Sequence, residues 1–473
     1  MPSASNGAGA ANQRGREFSA NGGLPLNVGL AASIAIAIAL AVFKSFLRLP
    51  KTPDSLLFIR LASNLTTNFC YSSAPVDTAA CVPTWGQQPP GYPIVIAFAQ
   101  MIASDSERAT MWIQTALFSA AALYFCWILY GWHRSQLLLF GTAAAALFAP
   151  AQIGDSLAIL TESLSATAVL LVFAELTRSI LTGQVRVLMI SAFVIFGMLI
   201  RWDLITLLAP VAVTLLMVLG WRRAVQTACM IAAICALPYL ALLGRAVAVG
   251  LPPVPSLLAG DISGGIINYY RVAALDEGAT SLVFGTLGRQ YSMISTEQLA
   301  EHWIGIDLDR ASGLIHRLAA LPDGTAVPAS LNDEFLAVAT NISQHRFATY
   351  VLLPVRRAAR MWWGWLGHPV SYSSLGQFGV LKDLFVSYYL TLGAGFAAAA
   401  AFGDRRLKAV GIAAVSFALI RTAFLVCNPV SALELRYLDL FSPTFDMIGL
   451  CGLWHVMKSR WPWTHRMTAQ PAA

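Results

Sequence analysis

The stretch LNVGLAASIAIAIALAVFKSFL, residues 26–47, decides the fold class of this chain. A transmembrane helix needs about 20 mostly apolar residues, and this stretch reaches that length with Lys44 as its only charge. Similar apolar segments follow at about 110–131, 136–152, 158–177, 187–200, 204–220, 224–246, 378–402, 409–427 and 438–457. Backbone groups in lipid find no water to bond, so spanning segments must be helical. The sequence therefore predicts an all-α polytopic membrane protein with about ten transmembrane helices.

The composition supports a membrane protein and argues against one that binds nucleic acid. The 473 residues are 57% hydrophobic and 12% charged, whereas soluble proteins contain about 25% charged residues. The net charge of +7 comes from basic residues in short clusters at the ends of apolar segments, without a long basic run. We therefore expect the lipid bilayer, and no nucleic acid, as a partner.

Short basic clusters predict the orientation of the helices. They comprise Arg134, Arg178 with Arg186, Arg222 with Arg223, Arg405 with Arg406 and Lys408, and Lys458 with Arg460. Basic residues concentrate in cytoplasmic loops, so this pattern places the clusters and both termini in the cytoplasm. The first span disagrees, because Lys44, Arg48 and Lys51 on its outer side outnumber Arg14 and Arg16. The later clusters carry more weight because there are more of them.

The spans divide the chain into five predicted parts. These are a disordered cytoplasmic tail at 1–24, an N-terminal transmembrane module at 25–246, an external loop domain at 247–377, C-terminal transmembrane helices at 378–457 and a cytoplasmic tail at 458–473. The external domain precedes the eighth span and ends in a helix rich in Arg and Trp, which is typical of the membrane surface. The outer loop at 48–109 contains two further interfacial segments. Residues 54–65 repeat leucine at helical spacing, and residues 91–103 are too short to cross.

Two of the seven cysteines, Cys70 and Cys81, share the outer loop. The other five lie in or near apolar spans, where a thiol behaves as a small apolar group. An oxidising compartment would allow Cys70 and Cys81 to form a disulfide, and the alternative is a pair of free thiols.

Ionisable side chains near membrane depth are the candidate functional residues, because burying them in lipid is costly. The predicted topology brings a group of them to the outer face from widely separated segments: Asp54, Asp155, Glu162, Arg201, Asp203, Glu434 and Arg436. This convergence indicates a site.

Most of these residues also have a structural interpretation. Asp54, after Thr52 and Pro53, suits the first turn of a helix. Asp155 suits a turn, and the outer arginines could anchor at the interface or grip an anionic headgroup. Glu162, inside or at the start of a span, is harder to explain without a function.

The order of the motifs resembles that of polytopic glycosyltransferases of the C superfamily. Within that superfamily it resembles the bacterial protein O-mannosyltransferase-like and lipid A aminoarabinose transferase-like proteins. The motifs are PDSLLFIRLASNL (53–65), PPGYPIVIAFAQMI (89–102), GDSLAILTESLSATAVLLVFAEL (154–176), LIRWDLITLLAPVAVTLL (199–216) and LELRYLDLFSPTFDMIGL (433–450).

The resemblance implies transfer of a sugar from a polyprenyl-phosphate-linked donor to an acceptor at the outer face of the membrane. It implies that Asp54 is the base, that Asp155 and Glu162 are further catalytic acids, and that Arg436 holds the donor phosphate. Arg201 fits the phosphate role less directly. Some members use a divalent metal ion, which Asp54 and Asp155 could hold. The implied location is the bacterial inner membrane with the site facing the periplasm, while the acceptor, a glycan, a lipid or a protein, stays open.

The chain departs from the family pattern at Ser55, where the common form has a second acid beside the first. This departure bears on the substrate and on metal dependence. Two other functions also stay open. A transporter or flippase often has internal repeats and polar residues at the membrane midplane, and we see no convincing repeat in the sequence. A polysaccharide polymerase or ligase would share the lipid-linked substrate, but we would expect a larger outer loop that is richer in arginine.

Overall fold

The computed structural model describes residues 28–46, 53–72, 75–76, 89–149, 152, 156–250, 355, 358, 362, 393–427 and 440–460, and these contain helices and no β-strand. The α-helices are α1 Val28–Ser45, α2 Pro53–Asn68, α3 Gly91–Ile102, α4 Ser106–His133, α5 Gln136–Leu147, α6 Glu162–Thr182, α7 Val187–Ile200, α8 Leu208–Leu219, α9 Trp221–Ala248, α10 Gly393–Phe402, α11 Arg405–Cys427 and α12 Ser442–Arg460. A 3₁₀ helix, Trp202–Leu207, lies between α7 and α8.

Local signals explain where several helices begin and end. The side chains of Asp105 and Ser135 accept hydrogen bonds from the backbone N–H groups of Arg108 and Leu138, which caps α4 and α5. Gly183 ends α6 in the left-handed conformation that favours glycine. These polar or flexible residues interrupt the apolar sequence and so divide it into separate helices.

Five segments are long and apolar enough to cross a membrane, namely Ser106–His133, Glu162–Thr182, Trp202–Leu219, Trp221–Ala248 and Arg405–Leu425. The all-helical character of the fold is therefore confirmed for the described residues, and these apolar segments are compatible with an integral membrane protein. Other apolar helices have 10–17 residues. At about 1.5 Å per residue such helices are shorter than a hydrocarbon core of about 30 Å. The number of ten spans stays a prediction.

The boundaries show why the predicted spans at 136–152 and 158–177 differ from the observed helices. Helix α5 ends at Leu147, shortly before Pro150, whose ring disfavours helical backbone before it. Residues 158–161 form a bend, so α6 begins at Glu162. An acid in the first helical turn complements the helix dipole, which makes Glu162 a favourable starting residue.

Two contacts fix the relative direction of α1 and α5. The backbone N–H of Gly29 donates to Gln136 Oε1 at 3.2 Å, which joins the first turns of both helices. Lys44 Nζ at the end of α1 donates to Ser156 Oγ in the segment after α5. The two helices therefore run parallel. We call the end of the bundle with Lys44 and Glu162 the site end, and the opposite end the basic end.

The position of Lys44 reduces the disagreement in the charge pattern around the first span, because it leaves Arg48 and Lys51 against Arg14 and Arg16. The side chain of Lys44 is buried and hydrogen-bonded inside the protein. A lysine in such a position is not exposed in the loop, where basic residues affect orientation.

The helices α2 and α3 of the first loop pack on the site end of the bundle. The ring of Phe58 meets the ring of Tyr92 edge to face, with 5.0 Å between their centroids. Both belong to a small buried core that includes residues from the start of α6 and the end of α7. A Cβ on Gly91 would lie 2.5 Å from the carbonyl oxygen of Leu199, so glycine permits this close approach. The helices expected at 54–65 and 91–103 are thus present.

Most of the expected external domain at 247–377 lies outside the described residues, as do the expected tail at 1–24 and residues 461–473, whereas 458–460 of the expected C-terminal tail belong to α12. Within the expected Arg- and Trp-rich helix, positions 355, 358 and 362 are helical. Trp362 Nε1 donates to Thr422 Oγ1 at 3.0 Å, and its ring lies 5.7 Å from that of Phe441. This tryptophan therefore contacts α11 and the start of α12 at the site end.

Candidate functional site

A buried carboxylate begins α6. The side chain of Glu162 is 2% exposed, and its Oε1 lies 3.3 Å from Arg201 Nη1. The same Nη1 also donates to Thr161 Oγ1 at 3.3 Å. A buried charge without compensation is strongly unfavourable, so the guanidinium explains how Glu162 can be accommodated there.

Arg201 stands between α7 and the following 3₁₀ helix, and it binds Asp203 with two parallel hydrogen bonds. Its Nε donates to Asp203 Oδ1 at 3.2 Å, and its Nη2 donates to Asp203 Oδ2 at 2.9 Å. This bidentate geometry matches the planar fork of a guanidinium. It fixes the direction in which Nη1 points, which is towards Glu162.

A second arginine joins the group from the last third of the chain. Arg421 of α11 is fully buried, and its Nη2 donates to Asp203 Oδ2 at 2.9 Å. Its guanidinium carbon also lies 6.0 Å from the centroid of the Phe441 ring, a distance typical of a cation–π contact. We call Glu162, Arg201, Asp203 and Arg421 the central charge cluster.

The central charge cluster is balanced, with two acids and two arginines. Asp203 is shared by both guanidinium groups, and Glu162 is held by one of them. In the low dielectric of a protein interior such contacts are much stronger than in water. The cluster therefore joins α6, α7 and α11 and holds each charged group in one orientation.

A second polar group holds the segment that leads into α6. Gln114 Nε2 donates to the carbonyl oxygens of Ser156 and Ala158 at 2.8 and 3.0 Å. Tyr92 donates its hydroxyl hydrogen to Gln114 Oε1 at 3.1 Å, and Lys44 donates to Ser156 Oγ. Three helices, α1, α3 and α4, thus fix the segment immediately before Glu162.

Tyr92 connects the first loop electrostatically to the central charge cluster. Burial, and then the negative charge of Glu162, raise the pKa of the Tyr92 hydroxyl well above its usual value. The hydroxyl therefore keeps its proton and remains a hydrogen-bond donor at neutral pH.

Asp54 lies in the first turn of α2 and is half-buried. Phe58 follows it by four residues, which places the two on the same side of the helix. Phe58 packs on Tyr92 at the site end, so Asp54 lies on the face of α2 that packs against the rest of the protein there. Its role as a base stays a prediction.

Several expected site residues lie outside the described residues, namely Asp155, Glu434, Arg436 and Cys81. Asp155 directly precedes Ser156, which the polar contacts above hold in place. Cys70 is disulfide-bonded, whereas Cys126, Cys229, Cys235 and Cys451 are free. The pairing of Cys70 with Cys81 stays a prediction.

The possible divalent metal ion has limited support from the described part of the chain. Among those residues, no three His, Cys, Asp or Glu side chains come together as ligands. The two carboxylates of the central charge cluster face guanidinium groups, which occupy the positions where a cation would bind. The pair proposed as ligands, Asp54 and Asp155, includes one residue outside the described ranges.

Sequence reasoning missed Arg421 and undervalued Lys44. Arg421 sits in the apolar run FALIRTAFLV within the predicted span at 409–427. An ionisable residue inside a span is a functional candidate by itself, so this signal was available. Lys44, at the end of the first span, carries the same signal.

No protein-family model, no curated protein and no solved structure matches this chain.

Proposed function

We propose that this protein is a membrane glycosyltransferase that moves a sugar from a polyprenyl-phosphate-linked donor to an acceptor at the site end. One observation carries the proposal. Charged side chains from α6, from the segment after α7 and from α11 meet in a buried cluster beside the helix of Asp54. A bundle with five apolar segments of membrane-spanning length is suited to a lipid-linked substrate.

In the proposed reaction Asp54 acts as the base. The acceptor oxygen attacks the anomeric carbon, its proton passes to the Asp54 carboxylate, and the bond from that carbon to the phosphate oxygen breaks. The leaving polyprenyl phosphate carries the electron pair away, so it needs positive charge nearby but little protonation. Arg436 supplies that charge in the proposal.

The central charge cluster would have a positioning role in this mechanism. Arg201 is already engaged by Asp203 and Glu162, so contact with a donor phosphate requires it to share its hydrogen bonds. Glu162 would act with Asp155 in orienting the acceptor. Because several helices hold Glu162 and its preceding segment, these groups can stay oriented while a lipid enters from the bilayer.

The direct test measures sugar transfer from a radiolabelled polyprenyl-phosphate sugar in membranes that contain the full-length protein. Asp54→Asn should lower the rate about a hundredfold or more, the usual contribution of a general base. Asp105→Asn is the matched control, because Asp105 is an exposed helix cap and asparagine caps helices equally well. Undiminished transfer by Asp54→Asn would refute the base assignment.

A second measurement separates donor binding from chemistry. Arg436→Gln should raise the apparent KM for the donor, whereas Arg222→Gln on α9 should leave it unchanged. If the protein instead moves a lipid-linked sugar across liposomes without any covalent transfer, it is a flippase. Transfer that lengthens a polysaccharide chain would favour the polymerase or ligase.

A further inference from the structure

A second charge cluster joins α4, α6 and the residue before α7, far from the site end. The carboxylate of Glu175 has no exposed side-chain surface, and Tyr124 donates its hydroxyl hydrogen to Glu175 Oε1. Arg178 Nη1 lies 3.9 Å from Glu175 Oε2, and Arg186 Nη1 lies 3.7 Å from Glu175 Oε1. We call Tyr124, Glu175, Arg178 and Arg186 the second charge cluster.

The two arginines of this cluster have unused hydrogen-bonding capacity. Both distances to Glu175 exceed hydrogen-bond length, and within the described part of the chain neither guanidinium donates a hydrogen bond. Each guanidinium has several N–H donors in a fixed plane. A buried donor without an acceptor is costly, and Arg178 Nη1 is such a donor. Two positive groups and one carboxylate leave one positive charge in excess.

Arg178 lies one helical turn before the end of α6, so its long side chain can extend towards the lipid headgroups. Glu175 precedes the end of α6 by seven residues, about 10 Å along the helix axis. Arg186 is half-exposed just beyond that end. The ring of Trp127 lies 6.4 Å from that of Tyr124 and is half-exposed. Tyrosine and tryptophan concentrate at the boundary between headgroups and acyl chains.

We propose that the second charge cluster binds a phosphate group that carries one negative charge, as in the phosphodiester of an anionic lipid. Arg178 and Arg186 donate to the phosphate oxygens, a pairing to which the guanidinium fork is suited. Glu175 limits the excess charge to one and holds the arginines together, since their own charges repel. This site lies at the basic end and does not depend on the proposed glycosyl transfer.

The test uses the full-length protein reconstituted into vesicles of phosphatidylcholine, with or without phosphatidylglycerol. After detergent extraction and washing, lipid mass spectrometry measures how strongly the protein retains phosphatidylglycerol over phosphatidylcholine. Arg186→Gln should reduce this preference at least about tenfold, the usual contribution of a hydrogen bond to a charged group. Arg222→Gln is the matched control, because Arg222 is an exposed arginine at the start of α9, at the basic end but outside the cluster.

Arg178→Lys provides a second variant that keeps the charge but loses the planar fork. It should also lower the preference, and its thermal unfolding midpoint in zwitterionic detergent shows whether the fold is intact. Inorganic phosphate that displaces phosphatidylglycerol from the wild type, but has no effect in Arg186→Gln, would assign the same site to soluble phosphate. An unchanged preference in Arg186→Gln, or an equal loss in Arg222→Gln, would overturn the proposal.

Discussion

Replacing Asp203 with asparagine should destabilise the fold more than any surface change. Asp203 Oδ2 lies 2.9 Å from both Arg201 Nη2 and Arg421 Nη2. Breaking a buried ion pair by removing one partner costs about 3–5 kcal/mol, because a charge is left in low dielectric. Arg421 is fully buried, so we expect Asp203→Asn to lower the free energy of unfolding by about 4 kcal/mol.

Removing Arg421 should cost less than removing Asp203. In Arg421→Gln the aspartate keeps its bidentate contact with Arg201, so we expect a smaller loss, about 2 kcal/mol for the charged hydrogen bond to Asp203. In the double variant both changes remove the same contact. Its destabilisation should therefore be smaller than the sum of the single effects by about 1–2 kcal/mol.

The assay is reversible unfolding of the purified protein in mixed micelles with increasing SDS, followed by circular dichroism. Arg108→Gln is the control, because the pair of Arg108 and Asp105 is 3.5 Å apart with both side chains more than half exposed. Such a surface pair contributes at most about 1 kcal/mol. The reasoning fails if Asp203→Asn and Arg108→Gln have equal effects, or if the Asp203 and Arg421 effects are simply additive.

Five further substitutions are tested by the same unfolding assay. Gly91→Ala should lower the free energy of unfolding, since the new Cβ would lie 2.5 Å from a backbone carbonyl oxygen of α7. Gly141→Ala should raise it by up to about 1 kcal/mol, because nothing lies within 4 Å of its Cβ. Gln114→Leu should lower the free energy of unfolding by at least about 2 kcal/mol, because the carbonyl groups of Ser156 and Ala158 lose their hydrogen-bond donor. Tyr92→Phe removes only the hydrogen bond from the tyrosine hydroxyl to Gln114, so its effect should be smaller. Gly452→Ala should cost about 1–3 kcal/mol, because its Cβ would lie 2.0 Å from a carbonyl oxygen of α10; no loss would contradict this close helix contact.

Apolar periodicity and turn residues predicted the helices well. The span expected at 187–200 coincides with α7, which is bounded by polar residues at both ends. The predicted span at 158–177 begins four residues before α6, because the mostly apolar residues 158–161 resemble a helix in sequence although their backbone bends. Hydrophobicity alone does not reveal such a bend, which is held by Gln114 from another helix.

The candidate site could be predicted only in part. The topology brought Glu162, Arg201 and Asp203 to one face, and they do lie together. The contact of Arg421 with Asp203 could not be predicted in this way, because the two residues are 218 positions apart and no local sequence pattern indicates a contact over that distance. Sequence can mark a costly buried charge, but the choice of its partner depends on how distant helices pack.

The hydrogen bond from Lys44 to Ser156 has a consequence for the biosynthesis of the protein. Lys44 and Ser156 are 112 positions apart, so the first helix leaves the ribosome long before Ser156 has been synthesised. During that interval the ammonium group must stay hydrated or contact headgroups, because an unpaired charge in lipid is costly. The contact between Asp203 and Arg421 forms later still, because 218 positions separate the two residues in the sequence. Insertion and final packing are therefore separate stages, and the polar contacts that complete the site form in the later one.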